Sequence, residues 1–107
     1  MKKYLIKGVY NAEGTRGLLQ EGGSGRQRAI AHMLDGLGGR VESFYYALGE
    51  HDVYLVVELP DEASAVAVGL RVNAAGLVRI ALTPLLTPAE LDEAAKTSVS
   101  YRAPGAS

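Results

Sequence analysis

From Lys3 to Tyr10 polar and apolar residues alternate, with Tyr4, Ile6, Gly8 and Tyr10 on one side of an extended chain and Leu5, Lys7 and Val9 on the other. A period of two belongs to a strand. Residues 11–25 are broken by Gly14, Gly17, Gly22, Gly23 and Gly25 and read as a connection, with room for one helical turn at Leu18-Leu19. Ser24 followed by Gln27 predicts a capping box. The helix it opens carries Ile30, Met33, Leu34 and Leu37 on one stripe and ends at Gly38-Gly39. Val41–Leu48 and Val53–Leu59 are β-rich runs separated by Gly49-Glu50-His51-Asp52, which predicts an antiparallel hairpin. Asp61 reads as the N-cap of a helix closed by Gly76, and Leu77–Leu86 as a fourth strand. Thr87-Pro88-Ala89-Glu90 combines a capping threonine, a proline at the first helical position and a closing glutamate, so a short helix follows to about Thr97.

The order β-α-β-β-α-β-α predicts an α+β domain of the ferredoxin-like βαββαβ kind: a four-stranded antiparallel sheet, helices on one face, and a short C-terminal helix. The chain of 107 residues has length for one such domain, with residues 98–107 as an extended tail. A sheet covered on one side should be polar on the other. Here Tyr54 and Val56 oppose Val53, Leu55, Val57 and Leu59, while Val41, Tyr45 and Ala47 oppose Phe44, Tyr46 and Leu48. The helix after Asp61 is apolar nearly all round, through Ala63, Val66, Ala67, Val68, Leu70 and Val72. Both features predict a homodimer or higher assembly in which a second copy covers the bare sheet.

Composition narrows the classes of function. Apolar residues are 48% and charged residues 21% of the chain, as in globular domains, and the net charge is −1. That balance argues against nucleic acid and anionic membrane as partners. The chain has no cysteine, which removes disulfides, thiolate chemistry and thiolate metal sites. The N-terminus lacks the apolar run of a signal peptide and no stretch has membrane-span length, so the cytoplasm is the expected compartment. Charge is uneven: residues 1–28 hold Lys2, Lys3, Lys7, Arg16, Arg26 and Arg28 against two glutamates, and residues 41–70 hold six carboxylates and no Lys or Arg. The two segments are expected to neutralise each other across the sheet.

Several blocks in order carry a resemblance. Glu21-Gly22-Gly23-Ser24-Gly25-Arg26, Leu37-Gly38-Gly39-Arg40-Val41-Glu42-Ser43-Phe44-Tyr45-Tyr46, Leu48-Gly49-Glu50-His51-Asp52-Val53, Glu58-Leu59-Pro60-Asp61, Leu85-Leu86-Thr87-Pro88-Ala89-Glu90 and Ser100-Tyr101-Arg102 together resemble the GYD domain family over essentially the whole chain. The chain departs from that family in carrying His51 where a tyrosine usually precedes the aspartate of the naming motif. The resemblance implies a dimeric α/β barrel in which two ferredoxin-like sheets pack face to face. Related barrels include cofactor-free monooxygenases, haem enzymes, isomerases, lyases and ligand-sensing domains, so fold alone assigns no activity.

Among candidate residues, Arg26 lies in the first turn of its helix, near the Ile30-Met33-Leu37 stripe, where a guanidinium beside helix amides suits a carboxylate or phosphate. Its structural alternative is an ion pair with a sheet carboxylate such as Glu58. His51 and Asp52 are the candidate acid–base pair, against the reading that Asp52 bonds backbone amides in a turn. Adding His32 gives too weak a ligand set to predict a metal. Gly22-Gly23-Ser24-Gly25 matches neither nucleotide fingerprint, so no cofactor is expected. Tyr4, Tyr45, Tyr54 and Tyr101 are candidate walls of a ligand pocket, since tyrosine offers an apolar body with a polar tip. The expected function is a small-molecule-binding or sensing domain with a small organic ligand. The alternative is a cofactor-independent isomerase, lyase or monooxygenase acting on a small organic acid or carbonyl compound.

Overall fold

The computed structural model describes residues 1–106. It contains β1 (Lys2–Tyr10), α1 (Ala12–Glu21), α2 (Gly23–Asp35), β2 (Arg40–Tyr46), β3 (Val53–Leu59), α3 (Glu62–Ala75), β4 (Val78–Leu85) and α4 (Pro88–Ala95). The strands form one antiparallel sheet in the order β2-β3-β1-β4, which is the ferredoxin-like arrangement. Tyr4 and Ile6 of β1 and Val53, Leu55, Val57 and Leu59 of β3 point to the helices and form the core with Leu34 of α2 and Ala65 and Val68 of α3. Asp61 caps α3 by accepting from Ser64 N at 2.8 Å, and Gly76 closes it at φ +79°. The Thr87 capping box of α4 is complete.

The glycine-rich connection differs from the expectation: residues 12–21 are helical along their whole length. Asn11 caps this helix by accepting from Gly14 N at 2.8 Å. Gly14 is buried against the Leu77 carbonyl, where a Cβ would overlap that backbone. A glycine that reads as a breaker is therefore what lets α1 lie against the chain entering β4. Gly22, at φ +84°, ends α1 and occupies the N-cap position of α2. That places Ser24 inside the first turn, and the Ser24–Gln27 capping box does not form.

Two expectations about faces are corrected. The register of β2 slips between Val41 and Ser43, so Val41 joins Phe44 and Tyr46 on the helix side while Ser43 and Tyr45 share the open side. The open face is also less apolar than the sequence suggested. Tyr45, Tyr54, Val56 and Leu5 share it with Lys3, Lys7, Arg40, Glu42, Glu58 and Arg79. Lys3 lies 2.6 Å from Glu42 and 3.4 Å from Glu58, and Arg40 also pairs with Glu58, so of the six N-terminal cations Lys3 alone pairs with the acidic middle among the described residues. In the single chain α3 buries one side only: Ala65 and Val68 are buried, whereas Ala63, Val66, Ala67 and Leu70 form an exposed stripe. No helix among the described residues is long and apolar enough to cross a membrane.

Candidate ligand cleft

On the helix side, α1, α2 and α3 do not close over the end of the sheet. They leave a cleft of about 540 Å³. Leu18 of α1, Ile30 and Met33 of α2, and Val72 and Ala75 of α3 make its walls apolar, with Val78 of β4 at its floor. A further cavity of about 50 Å³ lies between the same Ile30, Met33, Val72 and Val78 and the core residues Ile6, Leu34 and Leu55. The volume falls in the range of small-molecule sites, and the lining has their pattern of apolar walls with few polar groups. Asn73 holds this side of α3 in place, because its amide accepts from Ile80 N at 2.8 Å and donates to Ile80 O at 3.2 Å.

The polar groups are Tyr10, Gln20, Glu21, Arg26 and Arg71. Arg26 reaches the cleft because it precedes Ile30 by one helical turn. Its Nε lies 3.1 Å from Glu21 Oε1, an ionic contact without hydrogen-bond alignment, and Nε is buried with no aligned acceptor. Burial raises the Tyr10 phenol above its ordinary value, the neighbouring Tyr46 and the Glu21 and Asp52 carboxylates add to the rise, and Arg26 opposes it. The phenol is therefore protonated at neutral pH. Tyr46, also raised mainly by burial, donates to Gly23 O at 2.9 Å and packs edge-on against Phe44 at 5.2 Å, which ties the start of α2 to β2. Asp52 supports the same corner from outside the cleft. Its Oδ2 accepts from Tyr10 N at 2.9 Å, its own N–H donates to Gly8 O, and its carbonyl accepts from Ala47 N.

The residues singled out from sequence separate into different places. Arg26 lines the cleft. Its ionic partner is Glu21 on the preceding helix, while Glu58 is taken by Lys3 and Arg40. Tyr4 is a core residue, 4% exposed. Tyr45 lies exposed on the open face of the sheet, opposite Tyr54. Tyr101 is exposed in the C-terminal tail. His51 and Asp52 diverge: His51 Nδ1 is 3.4 Å from Tyr54 Oη and their rings meet edge to face, whereas the Asp52 carboxylate goes to the Tyr10 backbone. The structure therefore gathers none of the other named residues around Arg26. Tyr10, Glu21 and Arg71 do gather there, and sequence reasoning did not select them. For Tyr10 the signal existed, since it continues the Tyr4-Ile6-Gly8 side of β1. For Glu21 and Arg71 it did not, because their placement depends on α1 being a helix and on how α3 crosses the sheet.

Among the described residues no group of three or more His, Asp or Glu side chains is placed to hold a metal ion. Comparison with curated proteins and with solved structures gives no match. The sequence pattern of the GYD domain matches residues 4–95, which takes in all the strands and helices except Lys2 and Lys3 of β1, and the whole lining of the cleft. The chain belongs to the GYD domain family.

Proposed function

We propose that this chain is a small-molecule-binding or sensing domain whose ligand is an organic anion with an apolar body. The ligand sits between α1, α2 and α3, its body against Leu18, Ile30, Met33 and Val72 and its anionic end at Arg26. The observation that carries this reading is an apolar cleft of about 540 Å³ with the Arg26 guanidinium in its wall. Glu21 lies 3.1 Å from Nε, and the Arg26 side chain is 36% exposed, so a carboxylate or sulfonate oxygen would pair with its outer guanidinium donors. Arg26 and Arg71 outweigh Glu21, so the lining favours an anion over a cation. One observation favours the enzyme alternative: the protonated Tyr10 phenol lies in the same cleft and could donate to a carbonyl oxygen of a bound substrate.

Anilinonaphthalene sulfonate, an aromatic amphiphile with one anionic group, serves as the probe. Gly17 lines the cleft, and a Cβ there would meet nothing within 4 Å. A Gly17→Leu side chain therefore fills space the ligand needs, and helix propensity favours the fold by up to about 1 kcal/mol. Fluorescence titration should show saturable binding to the native protein, loss of that binding in Gly17→Leu without a lower melting temperature, and about tenfold weaker binding in Arg26→Gln. A Gly17→Leu protein that binds the probe like the parent overturns the reading. Tyr10→Phe should leave probe affinity unchanged, because the phenol's role belongs to the enzyme alternative.

A further inference from the structure

Behind the cleft the core itself is not filled. The cavity of about 50 Å³ is bounded on its deep side by Ile6, Leu34, Val53, Leu55 and Val68, all of them core residues. Tyr10, Ile30, Met33, Val72 and Val78 line both this cavity and the cleft, so the small space is the inner end of the large one. Among the described residues no charged side chain lines the inner chamber, and the Tyr10 phenol is its one hydroxyl. A buried water needs about two to four polar partners, and an apolar space without them stays dry and accepts apolar groups. Protein interiors are otherwise packed with few voids larger than a water molecule. Four of the residues around this one are valines, at Val53, Val68, Val72 and Val78, where isoleucine would reach further into it.

The geometry of α2 sets the distance between this chamber and the anion-pairing end of the cleft. Arg26, Ile30 and Met33 are spaced i, i+4, i+7 on one stripe, a run of about 10 Å at a rise of about 1.5 Å per residue. Arg26 lines only the outer cleft, whereas Ile30 and Met33 line both spaces. An extended alkyl chain advances about 1.25 Å per carbon, from zigzag bonds of about 1.5 Å, so about eight to ten carbons cover that run. We propose that the inner chamber is the tail subsite of the cleft, and that the ligand is a straight-chain aliphatic carboxylate of about eight to ten carbons. Its carboxylate pairs with the outer donors of Arg26, and its terminal methyl enters among Val53, Leu55 and Val68. The inference rests on the cleft being an anion site and adds the shape of the occupant. At about 30 Å³ for each small group, the chamber takes about two methylene-sized groups, which admits the end of a chain and excludes a fused aromatic ring. Met33, unbranched and flexible, stands at the rim where the chain must pass.

The test is isothermal titration calorimetry of the full chain with hexanoate, octanoate, decanoate and dodecanoate, each below its micelle-forming concentration. Affinity should rise about fourfold for each added methylene up to decanoate and then level off. Val53→Ile/Val68→Ile adds one methylene at each of two positions that line the chamber and not the outer cleft. That variant should level off at octanoate and bind decanoate about tenfold more weakly than the parent, with hexanoate unchanged. Arg26→Gln should weaken every chain length alike, by about tenfold. The native protein gives a second reading that needs no core substitution: nuclear Overhauser effects should connect the terminal methyl of decanoate to the methyls of Leu55 and Val68. Anilinonaphthalene sulfonate separates the chamber from the cleft. A native protein that binds this probe but binds all four alkanoates equally, or shows no contact from the terminal methyl to Leu55 and Val68, keeps the cleft and overturns the tail subsite. An unchanged length profile in a Val53→Ile/Val68→Ile protein that melts no lower than the parent also overturns it. A native protein that binds neither probe nor alkanoate overturns both readings.

Discussion

Asp52 offers the sharpest separation between a chemical and an architectural role. The β1–β3 ladder ends at Gly8 and Val53, so Tyr10 continues past the last paired residue of β3. Its N–H is met there by Asp52 Oδ2 at 2.9 Å, in a partly buried position. A hydrogen bond to a charged acceptor contributes about 1.5–3 kcal/mol when enclosed, and partial access of water to the Tyr10 amide takes the expected cost of Asp52→Ala to about 1–2 kcal/mol. For a domain of this size that corresponds to a melting temperature lower by about 4–8 °C. Asp52→Asn keeps a neutral acceptor and should cost about half as much. His51→Ala removes only a 3.4 Å contact and an edge-to-face approach to Tyr54, worth about 0.5 kcal/mol. Thermal melts of the three variants rank them, and the amide nitrogen shift of Tyr10 reports the bond directly. If Asp52→Ala melts like the parent, or no lower than His51→Ala, the carboxylate does not hold the β1 corner and the architectural account of this motif fails.

Two further outcomes follow from the same coordinates. Asp61 and Glu90 sit below their ordinary values of 3.8 and 4.5, each chiefly because its carboxylate bonds the backbone of its helix start, at Ser64 and Thr87 respectively. A carboxylate lowered by folding stabilises the protein above its unfolded value and loses that contribution as pH falls through the folded one. Melts taken from neutral pH down into the acid range should therefore decline below about pH 4.5, and Asp61→Asn should decline less steeply than the parent; parallel curves would contradict the assignment. In the core, Leu34 is fully buried, so Leu34→Ala should cost about 3 kcal/mol in urea unfolding, whereas Leu70→Ala, 67% exposed on the outer stripe of α3, should stay within about 0.5 kcal/mol. Equal costs for the two would show that α3 is buried on its outer side in solution.

The strands, α3 and α4 were legible in the sequence because short-range signals agree with the tertiary outcome there. The β3 run is apolar at Val53, Leu55, Val57 and Leu59 and those are the residues buried, and Asp61, Gly76 and Thr87 cap where their chemistry says they should. The open face was misjudged partly because a single slip at Val41/Ser43 turns Val41 inward and Arg40 outward, and hydropathy along a strand does not reveal a bulge. The candidate site was missed for a related reason. Propensity scores Gly14 and Gly17 as breakers, yet Gly14 is small because α1 must touch the Leu77 carbonyl, and Gly17 faces empty space.

That pair of glycines links the fold to the proposed function. Had residues 11–22 remained a loop, Arg26 would have stood beside open solvent and Glu21 would have had no fixed relation to it. As a helix, the segment is a wall: it sets Glu21 against Arg26, leaves an unfilled volume opposite Gly17, and encloses the Tyr10 phenol that Asp52 steadies from behind.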